Sequence, residues 1–353
     1  MQHRTPASPV TAAIPADRQA FYDKIKPHHL TPLWEVLKGL VPREPTSKAV
    51  AHAWTYAAVR PALLEAGSLL TAEEAERRVL VFENPALPGQ SRITNTIYSG
   101  MQLILPGESA PAHRHVASAL RFVLESDGAF TAVAGERTTM RRGDFIITPN
   151  WAFHDHGNEG PRPAIWVDGL DLPMINFFEA GFSDHMDAKH QPIAKLENES
   201  LARFGSGMVP LAAQSPFGIT SPIFNYPYVN SRAAVMGVAA SGEPDDHDAV
   251  SLRYSNPIDG GWAMPTIATW LTHIPAGFET RAKRTTDGQT IVVAEGEITA
   301  EIGGKSFTVG ENDVLVVPSW TPRRIRASKN AMLFTFSDRS AQEKLGLYRE
   351  SRD

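Results

Sequence analysis

The sequence predicts a mostly β protein, two β-barrels in tandem behind a helical N-terminal region, and three observations lead there. From about Asn95, short runs rich in β-branched and aromatic residues alternate with Gly, Pro and Asp, the punctuation of an all-β sandwich or barrel. That pattern lapses between about Ser183 and Gly242 and then resumes. The two β-rich stretches also repeat each other at an offset of 168 to 170 residues. Gly107 with Glu-Ser-Ala-Pro-Ala answers to Gly277 with Phe-Glu-Thr-Arg-Ala. GAFTAVAGERTTMRRGD from Gly128 answers to GEITAEIGGKSFTVGEND from Gly296, and Pro149-Asn-Trp151 to Pro318-Ser-Trp320. Register held over three landmarks indicates a duplicated unit.

The N-terminal region reads as helical. Thr31 and Pro32 make a cap and first turn, and Leu33, Trp34, Leu37, Leu40 and Val41 recur at helical spacing until Gly39 and Pro42 limit the run. A second helix is expected over Ala57 to Ala66 with Gly67 as its stop. A third opens at the Thr71…Glu74 capping box and ends around Arg77 and Arg78. Strands follow at Leu120 to Leu124, Phe130 to Val133, Phe145 to Thr148 and Ala164 to Leu170. After the irregular, Pro- and Asn-rich segment they return at Ile267 to Ile274, Thr290 to Ala294, Ile298 to Ile302, Val314 to Val317 and Met332 to Phe336. The expected division is 1–75 for the arm and helices, 76–182 for the first barrel, 183–245 for a covering linker, 246–345 for the second barrel and 346–353 for a tail.

Composition narrows the function classes. With 353 residues, 42% of them apolar and 21% charged, the chain has the make-up of a globular protein of two ordinary domains. A net charge of −5 gives no reason to expect nucleic acid or an anionic membrane surface. No apolar run approaches the roughly 18 to 20 residues needed to span a bilayer. The opening residues, interrupted by Pro and polar side chains, read as an uncleaved arm. The absence of cysteine excludes disulfides, thiolate nucleophiles and Cys-ligated metal sites. A cytoplasmic location is the expectation.

The chemistry concentrates in the first repeat. Gly107-x5-His113-x-His115 is followed by Gly143-x5-Pro149-x-Trp151-x2-His154-x3-Asn158. Period-2 alternation puts His113 and His115 on one face of a strand, aimed inward, and His154 on a later strand can complete a facial site. Three neutral imidazoles suit a divalent first-row metal and leave positions open for ligands. An isolated His-x-His is more often a pair of core or surface histidines; the second motif favours a metal site. No acidic residue follows the pair before Glu125, the stretch being Val-Ala-Ser-Ala-Leu-Arg121 and onward, and Glu125 is expected at the surface.

These paired segments resemble the two motifs of the cupins. Longer stretches, TPLWEVLKGLVP from Thr31, EAERRVLVFENPAL from Glu74, LPGESAPAHRH ending at His115, TPNWAFHDHGN from Thr148 and WVDGLDLP from Trp166, resemble the gentisate 1,2-dioxygenase family and its relatives acting on salicylate and 1-hydroxy-2-naphthoate. The resemblance implies a bicupin: two antiparallel jelly-roll β-barrels with a helical N-terminal region. It implies Fe(II) on His113, His115 and His154 with no carboxylate ligand, O2 and a small aromatic hydroxyacid as partners, and a homo-oligomer, a homotetramer in the family pattern. It also implies roles for single residues. Arg121 takes the substrate carboxylate, and His156 hydrogen-bonds substrate or oxygen without ligating. One of Arg77 and Arg78 reaches the site, Tyr98 and Gln102 line the pocket, and Asp168 partners the second ring hydroxyl of gentisate. For Asp168 a turn-closing role is the equal alternative.

In the second repeat the matching positions are Lys283, Thr285 and Arg323, none a good iron ligand, so that barrel is expected to be structural or to serve assembly. Trp54 and Trp151 are expected to pack. His52, His185, His190, His247, His273 and the His28-His29 pair lack motif context. Two other classes stay open at this level: a metal cupin that works without O2, such as an isomerase or decarboxylase, and a non-catalytic binding or storage bicupin.

Overall fold

The structure, a computed structural model, describes residues 14–212, 215 and 217–352. Most of the opening arm therefore lies outside the described residues. The chain divides into two compact units, Met1–Thr46 and Ser47–Asp353. In the first, helices Ala16–Ile25 and Leu33–Leu40 are joined by a 3-10 turn at Lys26–His28. Pro32 caps the second of them, and the Trp34 indole N–H donates to the Tyr22 hydroxyl at 2.7 Å.

The second unit holds four antiparallel sheets, two for each repeat. In the first repeat a six-stranded sheet runs in the order Asn225–Tyr226, Phe145–Thr148, Ala119–Glu125, Ala164–Leu170, Tyr98–Ile104, Val79–Val81. It is apposed to a five-stranded sheet ordered Ser183–His185, Ser109–His115, His154–Asn158, Ala129–Val133, Glu136–Thr139. In the second repeat the corresponding sheets run His52–Trp54, Val314–Val317, Gln289–Glu295, Ala331–Ser337, Ala268–Ile274, Val250–Arg253, and Lys305–Gly310, Glu297–Ile302, Arg323–Arg326, Lys283–Thr285, Glu350–Arg352. The duplication expected from the repeated pattern is present, in the jelly-roll form that the resemblance implies.

Each six-stranded sheet is buried on both faces, which is why its strands read as continuous apolar runs. One face of the first sheet encloses Ile104, Val123, Ile146 and Trp166 with Ala110 and Ala129 of the opposing sheet. The other face, with Met101, Leu120, Phe122, Phe145 and Val167, packs against Val292, Val314, Phe334 and Phe336 of the second repeat. Phe122 and Phe334 stack there with ring centroids 4.3 Å apart. The second barrel has its own interior, formed by Ile274, Ile291, Val293, Leu315, Val317, Ile325 and Leu333.

The repeats are also laced together. Strand His52–Trp54 pairs with Val314–Val316 of the second barrel, and helix Tyr56–Leu69 follows it with the Tyr56 N–H donating to Asp313 Oδ1 at 2.7 Å. Reciprocally, Asn225–Tyr226 pairs with Phe145–Ile146 of the first barrel, and helix Tyr228–Ala239 begins with the Tyr228 N–H on Asp144 Oδ1 at 2.9 Å. Tyr56 and Arg60 both bond Glu125, at 2.6 and 2.7 Å, and Tyr228 and Arg232 both bond Glu295, at 2.7 and 2.8 Å. Each arm thus adds its strand to the barrel of the other repeat and folds its helix onto the barrel of its own.

This exchange crosses the expected boundaries. The segment before residue 76 contributes a strand to the second barrel, and the 183–245 segment supplies two strands and a twelve-residue helix. The tail supplies strand Glu350–Arg352. Glu125, expected at the surface, is half-buried because two donors from a helix close over it. Gly67 does not stop its helix, which runs to Leu69. A Cβ there would lie 3.0 Å from Leu103, so the glycine serves close packing of helix on strand. The Thr71–Glu74 capping box is present, with Thr71 N to Glu74 Oε2 at 2.9 Å and Glu74 N to Thr71 Oγ1 at 3.1 Å, but its helix is the single turn Ala72–Ala75. Arg77 and Arg78 lie beyond it.

Candidate metal centre

The motif residues set the geometry of one barrel mouth. Gly107 and Gly143 take left-handed conformations, φ +79° and +83°, which an L side chain rarely adopts. The Gly107 N–H bonds Asn158 O at 2.8 Å, tying the start of one ligand strand to the end of the other. After Pro149 the chain turns through Trp151 at φ 60°, and the Trp151 N–H bonds His115 O at 2.9 Å. Strands Ser109–His115 and His154–Asn158 then pair with His113 opposite His154.

The outcome is a cluster in which one ligating atom from each of His113, His115 and His154 lies within 4.8 Å of the others. Among the described residues it is the one group of three or more His, Cys, Asp or Glu side chains able to hold a metal ion. Second contacts fix how the rings present themselves. The His115 Nδ1–H donates to Ala117 O at 2.7 Å and the His154 Nδ1–H to Ala152 O at 3.0 Å, which leaves their Nε2 lone pairs free. His113 Nδ1 sits 3.4 Å from Pro111 O, and the Arg77 guanidinium abuts the same ring. Burial holds all three imidazoles neutral. His113 is pushed down to about 2 by desolvation and then by the Arg77 charge, His115 is lowered, and His154 falls well below the ordinary histidine value. A neutral ring is the form that binds a metal.

Around this cluster the barrel supplies donors and one acid. Arg121 and Asp168 are directly opposed on neighbouring strands, with Arg121 Nε 3.7 Å from Asp168 Oδ1 and the Arg121 NH1 donating to Thr148 Oγ1 at 2.6 Å. The Trp166 indole N–H donates to Asp168 Oδ1 at 3.0 Å. Burial pushes the Asp168 carboxyl up to about 6 against the opposing pull of Arg121. Arg121 Nε, Gln102 Nε2 and His156 Nε2 are all buried without a hydrogen-bond partner among the described residues. Strand register puts Tyr98 and Gln102 on the face that carries Asp168 and Trp166, and burial followed by the Asp168 charge raises the Tyr98 phenol.

The adjacent arginines separate. Arg77 reaches the histidines and donates to Pro111 O at 2.8 Å. Arg78 is 4% exposed and makes a two-pronged ion pair with Glu108, both contacts 2.8 Å, besides a bond to Leu70 O. Both terminal nitrogens of Arg78 are thus taken by Glu108 and Leu70, and of the two arginines Arg77 is the one that contacts a histidine of the cluster.

Comparison with known proteins agrees with this centre. Residues 100–170 and 270–336 match the cupin domain family. The chain is 48% identical to gentisate 1,2 dioxygenase 1 of Aquipseudomonas alcaligenes over 97% of its own length and 98% of the relative's. The chain belongs to the gentisate 1,2-dioxygenase family. It is also 31% identical to a 1-hydroxy-2-naphthoate dioxygenase of Nocardioides sp. over 96% of this chain and 89% of that protein. Salicylate 1,2-dioxygenase of Pseudoaminobacter salicylatoxidans, solved as a gentisate adduct, superposes with a TM-score of 0.90 at 30% identity, covering 98% of this chain and 96% of that one. The bicupin fold and a ring-cleaving dioxygenase activity follow from membership of this family.

In this member of the gentisate 1,2-dioxygenase family the second barrel has replaced ligands by ion pairs. Lys283 and Arg323 are opposed as His113 and His154 are. Lys283 Nζ lies 2.7 Å from Asp248 Oδ2, and Arg323 NH2 lies 3.3 Å from Asp248 Oδ1. Two neighbours of the first site gave no sequence signal. His185 lies directly opposite His113 on the edge strand, their rings 6.1 Å apart, and Thr131 lies opposite His156. Both sit in segments without motif spacing, and only strand pairing brings them in.

Proposed function

We propose that this dioxygenase cleaves gentisate between its carboxyl-bearing and adjacent hydroxyl-bearing carbons, incorporating both atoms of O2 to give maleylpyruvate, with Fe(II) held by His113, His115 and His154. The observation that carries the reading is the pairing of ligand-ready imidazoles with three buried donors that make no hydrogen bond, in one barrel. Buried polar groups without partners are rare in folded proteins and mark places where a ligand completes the set. When bound, Fe(II) supplies the redox chemistry that activates O2 toward an electron-rich ring.

The side chains do the rest. Arg121, whose planar guanidinium suits carboxylates and whose Nε makes no hydrogen bond, takes the substrate carboxylate. Arg77 adds a second positive charge, and its pKa, lowered to about 10 by burial and then by Arg121, leaves it charged at neutral pH. His156 and Gln102 donate to substrate oxygens. Asp168 accepts from the second ring hydroxyl, a contact available to gentisate and not to salicylate, and this favours gentisate as the substrate. The apolar interior below, with Trp166, Val123 and Ile146, excludes water from the reacting ring.

The same proposal includes a homo-oligomer, a homotetramer in the family pattern, supported by Phe177, Phe178 and Phe182, which are 82%, 67% and 63% exposed. It also includes a cytoplasmic location. Among the described residues no helix is long and apolar enough to cross a membrane. The test is oxygen uptake by protein loaded anaerobically with Fe(II), comparing gentisate, salicylate and 1-hydroxy-2-naphthoate. Uptake with gentisate above the other two, with maleylpyruvate formed, is expected. Uptake confined to salicylate or hydroxynaphthoate would move the substrate assignment, and none with any of the three would refute it.

A further inference from the structure

Four histidines crowd the mouth of the first barrel, and their hydrogen bonds divide them. His115 and His154 donate from Nδ1 to backbone carbonyls and so present bare Nε2 atoms. His156 is arranged in the opposite sense. Its Nδ1 meets a side-chain hydroxyl, that of Thr131, which stands directly across the strand pair Ala129–Val133 and His154–Asn158. Thr131 is fully buried. Among the described residues, His156 Nδ1 is the one hydrogen-bond partner of its hydroxyl.

A threonine hydroxyl carries one hydrogen, and leaving a buried hydrogen unmatched costs about 1–3 kcal/mol. The Thr131 O–H has nowhere else to donate, so it donates to His156 Nδ1. In a neutral imidazole the proton then resides on Nε2. That atom is buried without a partner, and the ring's tilt is fixed by Trp166, 5.4 Å away.

We propose that Thr131 is a positioning residue that locks His156 in the Nε2–H tautomer, so that His156 donates a hydrogen bond to an oxygen of the bound hydroxyaromatic acid. The inference rests on the function proposed above for the identity of that acid; the tautomer itself does not depend on it. The reversed tautomer would point a lone pair at an anionic oxygen, which repels where the first attracts. One hydroxyl outside the ligand set thereby separates a histidine that serves substrate from those that serve metal.

The experiment compares wild type, Thr131→Val and Thr131→Ser. In zinc-loaded protein, which is diamagnetic, the 15N resonances of the His156 ring report which nitrogen is protonated. Wild type is expected to show a bare Nδ1 and a protonated Nε2. Thr131→Val should move His156 toward a mixture of tautomers, and Thr131→Ser should restore the wild-type pattern. In iron-loaded protein, kcat/KM for gentisate should fall about tenfold in Thr131→Val, the scale of one hydrogen bond, and recover in Thr131→Ser with iron content unchanged.

A protonated Nδ1 in the wild-type spectrum would overturn the proposal without any variant. So would a Thr131→Val protein with wild-type resonances and kinetics, or a serine variant as impaired as valine, which would mark a packing role. If wild-type iron protein consumed no O2 with gentisate while the 15N pattern held, the substrate reading would fail and the Thr131 assignment would stand.

Discussion

The Arg121–Asp168 pair offers the sharpest energetic test of the site. Both side chains are almost fully buried and their charged atoms lie 3.7 Å apart. At an effective dielectric constant of about 20 this separation corresponds to roughly 4 kcal/mol of attraction. Removing one partner of a buried pair typically costs about 3–5 kcal/mol, because the other charge is stranded. Arg121→Met is therefore expected to destabilise the metal-loaded protein by about 3 kcal/mol or more at pH 8, and Asp168→Asn by a similar amount. The double variant should cost about 2 kcal/mol less than the sum of the two. The coupling needs an ionised Asp168, whose carboxyl is pushed up to about 6. Lowering the pH from 8 to 5 protonates it, so the coupling should shrink at acid pH. Urea unfolding of the four proteins at both pH values reads this directly. Additive effects at pH 8, or a coupling equal at both pH values, would refute the placement of these charges. Arg121→Met should also raise KM for the hydroxyacid by about tenfold or more through loss of a charge-assisted contact.

Other expectations follow from the same structure. His113→Ala should abolish bound metal as read by atomic absorption, whereas Lys283→Ala should leave it unchanged while strengthening the sensitivity to urea, since Asp248 loses its nearest cation. Glu125→Gln and Glu295→Gln should each lower unfolding stability by about 1 kcal/mol, a partly exposed ion pair being worth no more, and by similar amounts because each closes the same Tyr–Arg arm. Asp171, buried and bonded to the Ser118 N–H and Thr266 hydroxyl, has its carboxyl pushed up to about 6 by desolvation. A raised acid favours the folded state while protonated, and that contribution is lost as pH rises through about 6. Asp171→Asn should therefore flatten the fall in stability expected by calorimetry between about pH 4 and 6, and an unchanged slope would count against this assignment.

Much of this was legible in the sequence. Gly, Pro and His at fixed spacing forced two strands and two turns into one geometry, and period-2 alternation then aimed His113, His115, His154 and His156 inward. The duplicated strands were legible because their repeats share offsets. The exchanged arms were not seen, although Tyr56 with Arg60 and Tyr228 with Arg232 repeat the same spacing. The signal is two residues on each helix, and their partners, Glu125 and Glu295, are far along the chain. Helix Tyr228–Ala239 was hidden for another reason: it lacks a polar face and a capping side chain, and Asp144 of the opposite barrel caps it. The separation of Arg77 from Arg78 depended on Glu108, and the tautomer of His156 on Thr131. Adjacent residues and cross-strand partners carry no periodic signal, so both awaited tertiary structure.

The central claim is that this chain opens the ring of gentisate by inserting both atoms of one O2. Turnover of gentisate by the iron-loaded protein under 18O2, with mass spectrometry of the quenched product, tests it most directly. The account predicts maleylpyruvate carrying two labelled oxygens, none of it formed by His113→Ala. Product with one label or none, or unlabelled turnover without O2, would contradict it.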